Sequence, residues 1–438
     1  MKFILALAVG RIIKFIGSFS GRSTNLPGKF ALKICPNFLK TMKFKGKIIA
    51  VTGSNGKTTT SNLIAHILKD NGYDVASNLE GANLTTGVAS TMLSHCDYKG
   101  FVKADFVVLE VDERYSPLIF KNFSPDYFIV TNLVRDQVVR NGHPDVIFDK
   151  INSGITENVC MILNANDPIS QNLAINNKRI YYGMEKNAQS LDTSVFISND
   201  AKVCPKCFSS LNYEYYHYNH IGKFACSSCE YKTPTIDYLA HDIDLETGNF
   251  KINEKTLNVK YKTSFNFLNT TSAFAVCKEL GLKDEDIEKS IANFEVPSDR
   301  FDVFTVGDRK ATSILTKQNS VSLDQSISYT LAQEGKKTVV LYVNNIFYTE
   351  NKDVSWLYDV TIERLLGNVE NIVCLGERAF DVAVRFTCAG FKLEDLKIQK
   401  SLENLQETLS ETSGDIYLLT ASAFGGDDEI LEVLKKWK

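Results

Sequence analysis

The sequence predicts an α/β protein in two domains, each built on a mostly parallel sheet. Three observations carry this reading. From residue 47 onward, short apolar runs ending in polar turns alternate with segments of helical period. A glycine-rich turn, "VTGSNGKTTT" at 51–60, joins the first run to a helix. After residue 300 a second series, "KKTVVLYVNN", "NVENIVCLG", "LEDLKIQ" and "GDIYLLTAS", alternates with helical stretches. Strands that alternate with helices imply parallel sheets with ligand sites along one edge.

At 438 residues the chain exceeds one ordinary core, so two or three domains are expected. Apolar residues make up 44% and charged residues 23%, as in soluble globular proteins. The net charge of −3 gives no strong field, so no nucleic-acid partner is expected. The opening "MKFILALAVGRIIKFIG" has a short apolar core interrupted by Arg11 and Lys14, with no small-x-small cleavage site after it. It reads as a packed amphipathic helix within a helical lead-in over residues 1–45, and not as a leader. No run of ~18 apolar residues offers a membrane span, and a cytoplasmic protein is expected. Lys40, Lys43, Lys45 and Lys47 form a basic cluster, a solvated face or a point of peripheral contact with the inner face of the membrane.

The turn at 51–60 fits the second half of a phosphate-binding loop, with Gly53, Gly56, Lys57 and Thr58 in place and Val51 where the usual first glycine falls. "KGKIIAVTG" is a buried strand ending in a turn. "TTTSNLIAHILKDNG" is a helix with apolar Leu63, Ile64, Ile67 and Leu68, stopped by Gly72. A glycine-rich turn thus feeds a helix N-terminus, where unpaired N–H groups and the dipole attract anions. Lys57 can reach the β- and γ-phosphates of ATP, and the Thr58 hydroxyl can take a place on Mg²⁺. A second strand, "DFVVLEVDE" at 105–113, delivers Glu110 to a strand's carboxyl end, where a carboxylate suits that metal. Asp112 and Glu113 are the substitutes. "PDYFIVTNLVRDQVVRNG" (125–142) places Asn132, Asp136, Gln137 and Arg140 after a third strand, and "MILNANDP" (161–168) repeats the pattern with Asn164, Asn166 and Asp167.

Four of the ten cysteines form two C-x₂-C knuckles: Cys204 with Cys207, and Cys226 with Cys229, eighteen residues apart. Two such knuckles match the ligand number and spacing of a tetrahedral Zn²⁺ ribbon, here inserted at roughly 200–233. Four closed ligands leave no open position, so the expected role is structural. His217 and His220, between the knuckles, read as surface residues of an aromatic hairpin. Cys35, Cys96, Cys160, Cys277, Cys374 and Cys388 read as reduced fillers.

"TGSNGKTTT", "LEVDE", "TNLVRDQ" and "LNANDP", in this order and spacing, resemble the central ATPase domain of the Mur ligase family. Its members activate a carboxylate as an acyl phosphate that an amine then attacks, and a loop with glycine only at its third and sixth places is typical of them. The resemblance implies a Mur-ligase-type ATP-binding domain over 46–297 and a smaller C-terminal α/β domain over 298–438. It implies ATP contacts at Gly53, Asn55, Gly56, Lys57, Thr58 and Thr59, and Mg²⁺ held by Thr58 and Glu110. "FNFLNTTSAFAV" (265–276) is similar to the family's helix start beside adenine, making Asn266 and Asn269 nucleotide candidates. "SDRFD" (298–302) resembles the family's hinge, with Arg300 as the matching residue and Asp299 in place of its glycine.

The four-cysteine ribbon, with "NKDVSWLYD" (351–359) and "LGERAFDVAVRFTCAG" (375–390), narrows the resemblance to the MurT branch. Members of that branch are ligase subunits working with a GatD-type glutamine amidotransferase. The implied reaction is ATP-dependent amidation of the α-carboxylate of D-isoglutamate in the lipid II stem peptide, with ammonia from the partner. Asp353 matches an aspartate thought to orient the partner's catalytic His; Asp359 is the second choice. The alternative role for Asp353 is to cap a helix "VSWLYDVTIERLL". The chain departs from the branch at "VNNIFYTEN", at "TKQNSVSLDQ", which keeps Lys317, and at "LTASAFGG". The alternative function is a stand-alone ligase joining an amino acid to a carboxylate.

Overall fold

A computed structural model describes residues 1–18, 24–78, 82–260, 262–295, 301–316, 318–345, 353–421 and 428–437. The chain forms two compact units. One holds residues 1–134, 143–193 and 201–294, and the other 135–142, 194–200 and 295–438.

The first unit is organised by a nine-stranded sheet. Edge to edge its strands are Lys255–Asn258, Asn249–Ile252, Tyr238–His241, Arg179–Met184, Cys160–Asn164, Tyr127–Val130, Lys47–Thr52, Phe106–Glu110 and Val75–Ser77. The first two pair antiparallel and the remaining seven run parallel. Lys47–Thr52 lies inside the sheet and is buried beyond Lys47, which explains its continuous apolar run. Helix α1 (Lys2–Ser18), helix α2 (Leu26–Ile34), helix α3 (Lys57–Asp70) and helix α4 (Thr85–His95) flank the sheet. Ala6, Leu7, Ala31, Val88 and Met92 share one core with Ala50, Val107 and Phe128 of the sheet, so the helical lead-in packs into this unit. α2 and α4 approach so closely that a Cβ on Gly28 would stand 1.9 Å from the Thr86 carbonyl oxygen. The hairpin Leu211–Tyr218/Ile221–Cys226 carries the knuckles.

The second unit has a six-stranded sheet ordered Phe301–Val306, Arg309–Leu315, Asp415–Ala421, Lys337–Val343, Asn371–Leu375, Leu396–Gln399, with only the first strand antiparallel. Alternation along one strand builds its two faces. Val339, Leu341 and Val343 pack under the helices Ser320–Ala332 and Ala379–Cys388, while Val340 and Tyr342 pack under Leu405–Ser410 and Asp428–Lys435.

Two sequence expectations need correction. The single helix expected over "VSWLYDVTIERLL" is two short 3₁₀ turns, Ser355–Asp359 and Ile362–Leu365. Arg385 donates to the carbonyls of Leu357 and Val360, and Asp324 accepts from the Thr361 N–H, so backbone groups a helix would use are spent on tertiary partners. The β-branched run Val360–Thr361–Ile362 opposes helix as well. Among the six filler cysteines, Cys388 is exposed and Cys160 only half-buried.

Candidate functional site

The loop at 51–60 leaves the carboxyl end of Lys47–Thr52 and enters α3 through Gly56, whose φ of +88° favours glycine. The Thr60 N–H is bonded to the Gly56 carbonyl, so the amides of residues 57–59 precede the helix's own ladder. The loop is braced by the segment after Tyr127–Val130, a neighbouring strand in the sheet. Thr131 Oγ1 and Asn132 Nδ2 donate to the Asn55 carbonyl, Asn132 Oδ1 accepts from the Asn55 N–H, and Ser54 Oγ donates to the Val134 carbonyl. A Cβ on Gly53 would come within 2.1 Å of Thr131 Oγ1, so the bracing leaves room only for glycine. A Cβ on Gly56 would come within 2.3 Å of Asn269 Oδ1. The helix Ser264–Glu279 thus brings Asn269 against the loop, while Asn266, one turn earlier, bonds Thr263 Oγ1. Thr58 and Thr59 are half-buried at the start of α3.

Lys57 is buried, and its Nζ donates to the Gly53 carbonyl at 2.5 Å and to Glu113 Oε1 at 2.5 Å. Glu113, a substitute at the sequence level, is therefore the lysine's carboxylate. Glu110 occupies a different place. Register pairs it with Val51 at the loop's origin. Asn78 clamps its backbone in both directions, and Asn83 Nδ2 donates to Oε1 at 3.0 Å. Its Oε2 is buried and, among the described residues, accepts no hydrogen bond. An orphaned carboxylate oxygen beside a phosphate-type loop fits a cation. Asn78, Asn83 and Thr131 escaped sequence reasoning. Asn78 and Thr131 carried one signal, a polar residue just past a strand, and Asn83 carried none.

Asn164, Asn166 and Asp167 are buried scaffolding. Asn164 donates to the Thr131 carbonyl, Asn166 bridges Met184 and Gly222, and Asp167 accepts from the Leu133 N–H. Downstream of Asn132, Asp136 accepts from Asn319 and Gln137 from Arg140. Arg300 and Lys317 lie outside the described residues, as do most of "VNNIFYTEN" and "LTASAFGG".

The knuckle sulfurs of Cys204, Cys207, Cys226 and Cys229 all lie within 4.8 Å of one another, with Sγ–Sγ distances of 3.7 Å (Cys204–Cys229) and 3.3 Å (Cys207–Cys226). Sulfurs about 2.3 Å from one tetrahedral zinc would have comparable spacing. The Lys206 and Ser228 N–H groups point at Cys204 and Cys226 Sγ at 3.4 Å, and the Ser209 N–H brings the Cys207 thiol down to about 6. The Ser209 amide favours a thiolate at Cys207. His217 and His220 are buried, contrary to the surface expectation. His217 bridges the Met184 carbonyl and Ser190 Oγ, and burial pushes it down to about 4. The turn end of the hairpin packs on the sheet, where Gly222 bonds Asn166 and His217 bonds the Met184 carbonyl, so these rings face protein.

Asp353 is half-buried, accepting from the Ser355 N–H at 3.0 Å and Ser355 Oγ at 2.7 Å. Asp359 is held by Arg135 at 3.0 Å, and the same guanidinium grips Asp200 at 2.6 Å.

Residues 51–228 match the Mur ligase middle domain, and residues 315–424 match the MurT ligase C-terminal domain. The chain is 32% identical, over 84% of its length and 83% of the relative's, to the MurT subunit of lipid II isoglutaminyl synthase (glutamine-hydrolyzing) from Staphylococcus aureus strain COL. It is 30% identical to the subunit of the same name from Streptococcus pneumoniae strain ATCC BAA-255 / R6, over 93% and 92%. Its fold is similar to a pseudomurein peptide ligase type C from Methanothermus fervidus, with a TM-score of 0.70 at 21% identity, covering 92% of this chain and 81% of that one.

Proposed function

The chain belongs to the Mur ligase family, in its MurT branch, and from that premise we propose that it is the ligase subunit of a lipid II isoglutaminyl synthase. In this reading an oxygen of the acceptor carboxylate, on D-isoglutamate of the lipid II stem peptide, attacks the γ-phosphorus of ATP. The bond to ADP breaks and an acyl phosphate forms. Ammonia from a GatD-type glutaminase adds to the carbonyl carbon. Phosphate leaves with the electron pair of the C–O bond, the nitrogen gives up a proton, and D-isoglutamine remains. The reaction asks the protein mainly for positioning and charge neutralisation. The amides opening α3 and the Lys57 ammonium bind the triphosphate, with Gly53, Asn55, Gly56, Thr59 and Asn269 shaping its bed. Asn266 and Arg300 remain nucleotide candidates by resemblance.

One observation carries the reading: the buried Oε2 of Glu110 next to the loop, which has no hydrogen-bond partner among the described residues. A buried acceptor without a donor is costly, and a cation relieves that cost. Glu110 and Thr58 would hold Mg²⁺, which when bound offsets charge on the phosphates. Zinc is proposed for the four cysteines on their sulfur spacing. Among the described residues no helix is long and apolar enough to cross a membrane, and action from the cytoplasmic side is part of the proposal.

The test is amidation of lipid II with ATP, run with and without a glutaminase subunit. Glutamine-driven product that requires the glutaminase is expected. Product formed equally without it, or an amino acid joined in place of ammonia, would replace the proposal with the stand-alone ligase.

A further inference from the structure

We propose that α1 is a docking surface for an anionic lipid bilayer and lies along the headgroup region. The helix is apolar on two sides. Toward the protein it buries Ala6, Leu7 and Gly10. Away from it, Ile4, Leu5, Ile12, Phe15 and Ile16 are each 55% to 69% exposed. At about 100° per residue these five, with exposed Ala8, fall within an arc of about 120° that no polar residue enters. Single exposed apolar residues are ordinary, whereas a continuous row along a helix marks an interaction site. Arg11 and Lys14, the cations along the body of the helix, turn to the protein instead of covering the row. Arg11 donates to the Leu93 and Cys96 carbonyls, and Lys14 to Ser94 Oγ.

Charge identifies the occupant. The first 47 residues contain ten Lys and Arg and no Asp or Glu, in a chain whose net charge is −3. Lys29 and Lys33 on α2, with Lys40 and Lys43 beyond it, are exposed. A second copy meeting this face would bring two acid-free basic segments together, which is repulsive. An anionic bilayer answers both features, taking the apolar row among its acyl chains and the lysines at its phosphates. The inference goes beyond the ligase reading and stands without it.

The experiment is flotation of the full-length protein with vesicles of phosphatidylglycerol and phosphatidylcholine, or of phosphatidylcholine alone, free of lipid II. Binding to the anionic vesicles is expected, weakened by added salt. The double variant Ile12→Asp/Phe15→Asp should bind about tenfold less or weaker still, and Lys29→Glu/Lys33→Glu should lose the preference for anionic lipid. Absence of flotation, or equal flotation of parent and Asp variant, overturns the proposal. So does a parent dimer that the Asp variant converts to monomer without any vesicle binding. Should the Asp variant fail to fold, Phe15→Trp decides: a blue shift in its emission on adding anionic vesicles supports the proposal, and an unchanged spectrum refutes it.

Discussion

Lys57 Nζ lies 2.5 Å from Glu113 Oε1, and both side chains are buried. A buried ion pair is weak evidence for stability, but breaking it from one side leaves an uncompensated charge. Lys57→Ala should therefore do two things: lower the melting temperature, and cut lipid II amidation by about a hundredfold or more. Unchanged product would refute the assignment of the loop.

Glu110→Gln keeps the shape and the Asn83 contact on one side while removing the charge aimed at a cation. Amidation measured against Mg²⁺ concentration should show a raised Mg²⁺ requirement, with stability kept or improved because the buried charge is gone. An unaltered Mg²⁺ dependence would return Glu110 to a structural role.

Asp353 and Asp359 are separated by their surroundings. Asp359 is committed to Arg135, whereas Asp353 caps a short turn through Ser355 and is half-buried. If Asp353 orients a His of the partner, Asp353→Asn should abolish glutamine-driven amidation and spare amidation with added ammonium. Equal loss in both assays would leave only the cap.

Bound zinc should be found at one ion per chain by elemental analysis. Cys207→Ser should drop it to near none and expose the hairpin to protease, since binding to small zinc domains is worth ~10 kcal/mol or more. A chain that folds alike with and without metal would contradict this.

Two buried groups should give stability opposing slopes with pH. Burial lowers His217 from 6.5 to about 4. Between those values the unfolded chain takes a proton the folded one refuses, so stability falls as pH drops, by about 3 kcal/mol in all. Burial raises Asp324 from 3.8 to about 7. There the folded chain keeps a proton the unfolded one loses, so stability declines as pH rises from about 4 to 7, by about 4 kcal/mol. Urea unfolding at about pH 5 and about pH 8 should show Asp324→Asn shifting the balance toward the higher pH, and His217→Gln toward the lower.

The parallel strands and the loop were legible because each is a local pattern: an apolar run, a turn of forced conformation, a helix with one apolar face. The knuckles were legible for the same reason, since two spacings define them. What the chain's order conceals is long-range choice. Lys57 selects Glu113 over Glu110 because the side chains meet at that point in space, three residues apart on one strand exit. His217 and His220 read as exposed because a hairpin's two faces cannot be told apart until its packing surface is known. The 354–366 stretch has helical spacing, yet Arg385 and Asp324, distant in sequence, claim its backbone.

Arg135 comes from the segment after a strand of the first unit, but its guanidinium, Asp200 and Asp359 all belong to the second. That unit is therefore stitched from three separate stretches of chain. A fragment begun at residue 295 would carry Asp359 without the Arg135 that holds it, and would lack the Ile197 N–H that donates to Thr361 Oγ1. On the ribosome, the earlier pieces wait for more than ninety residues of intervening chain before their own lattice can close, which couples maturation of the two halves.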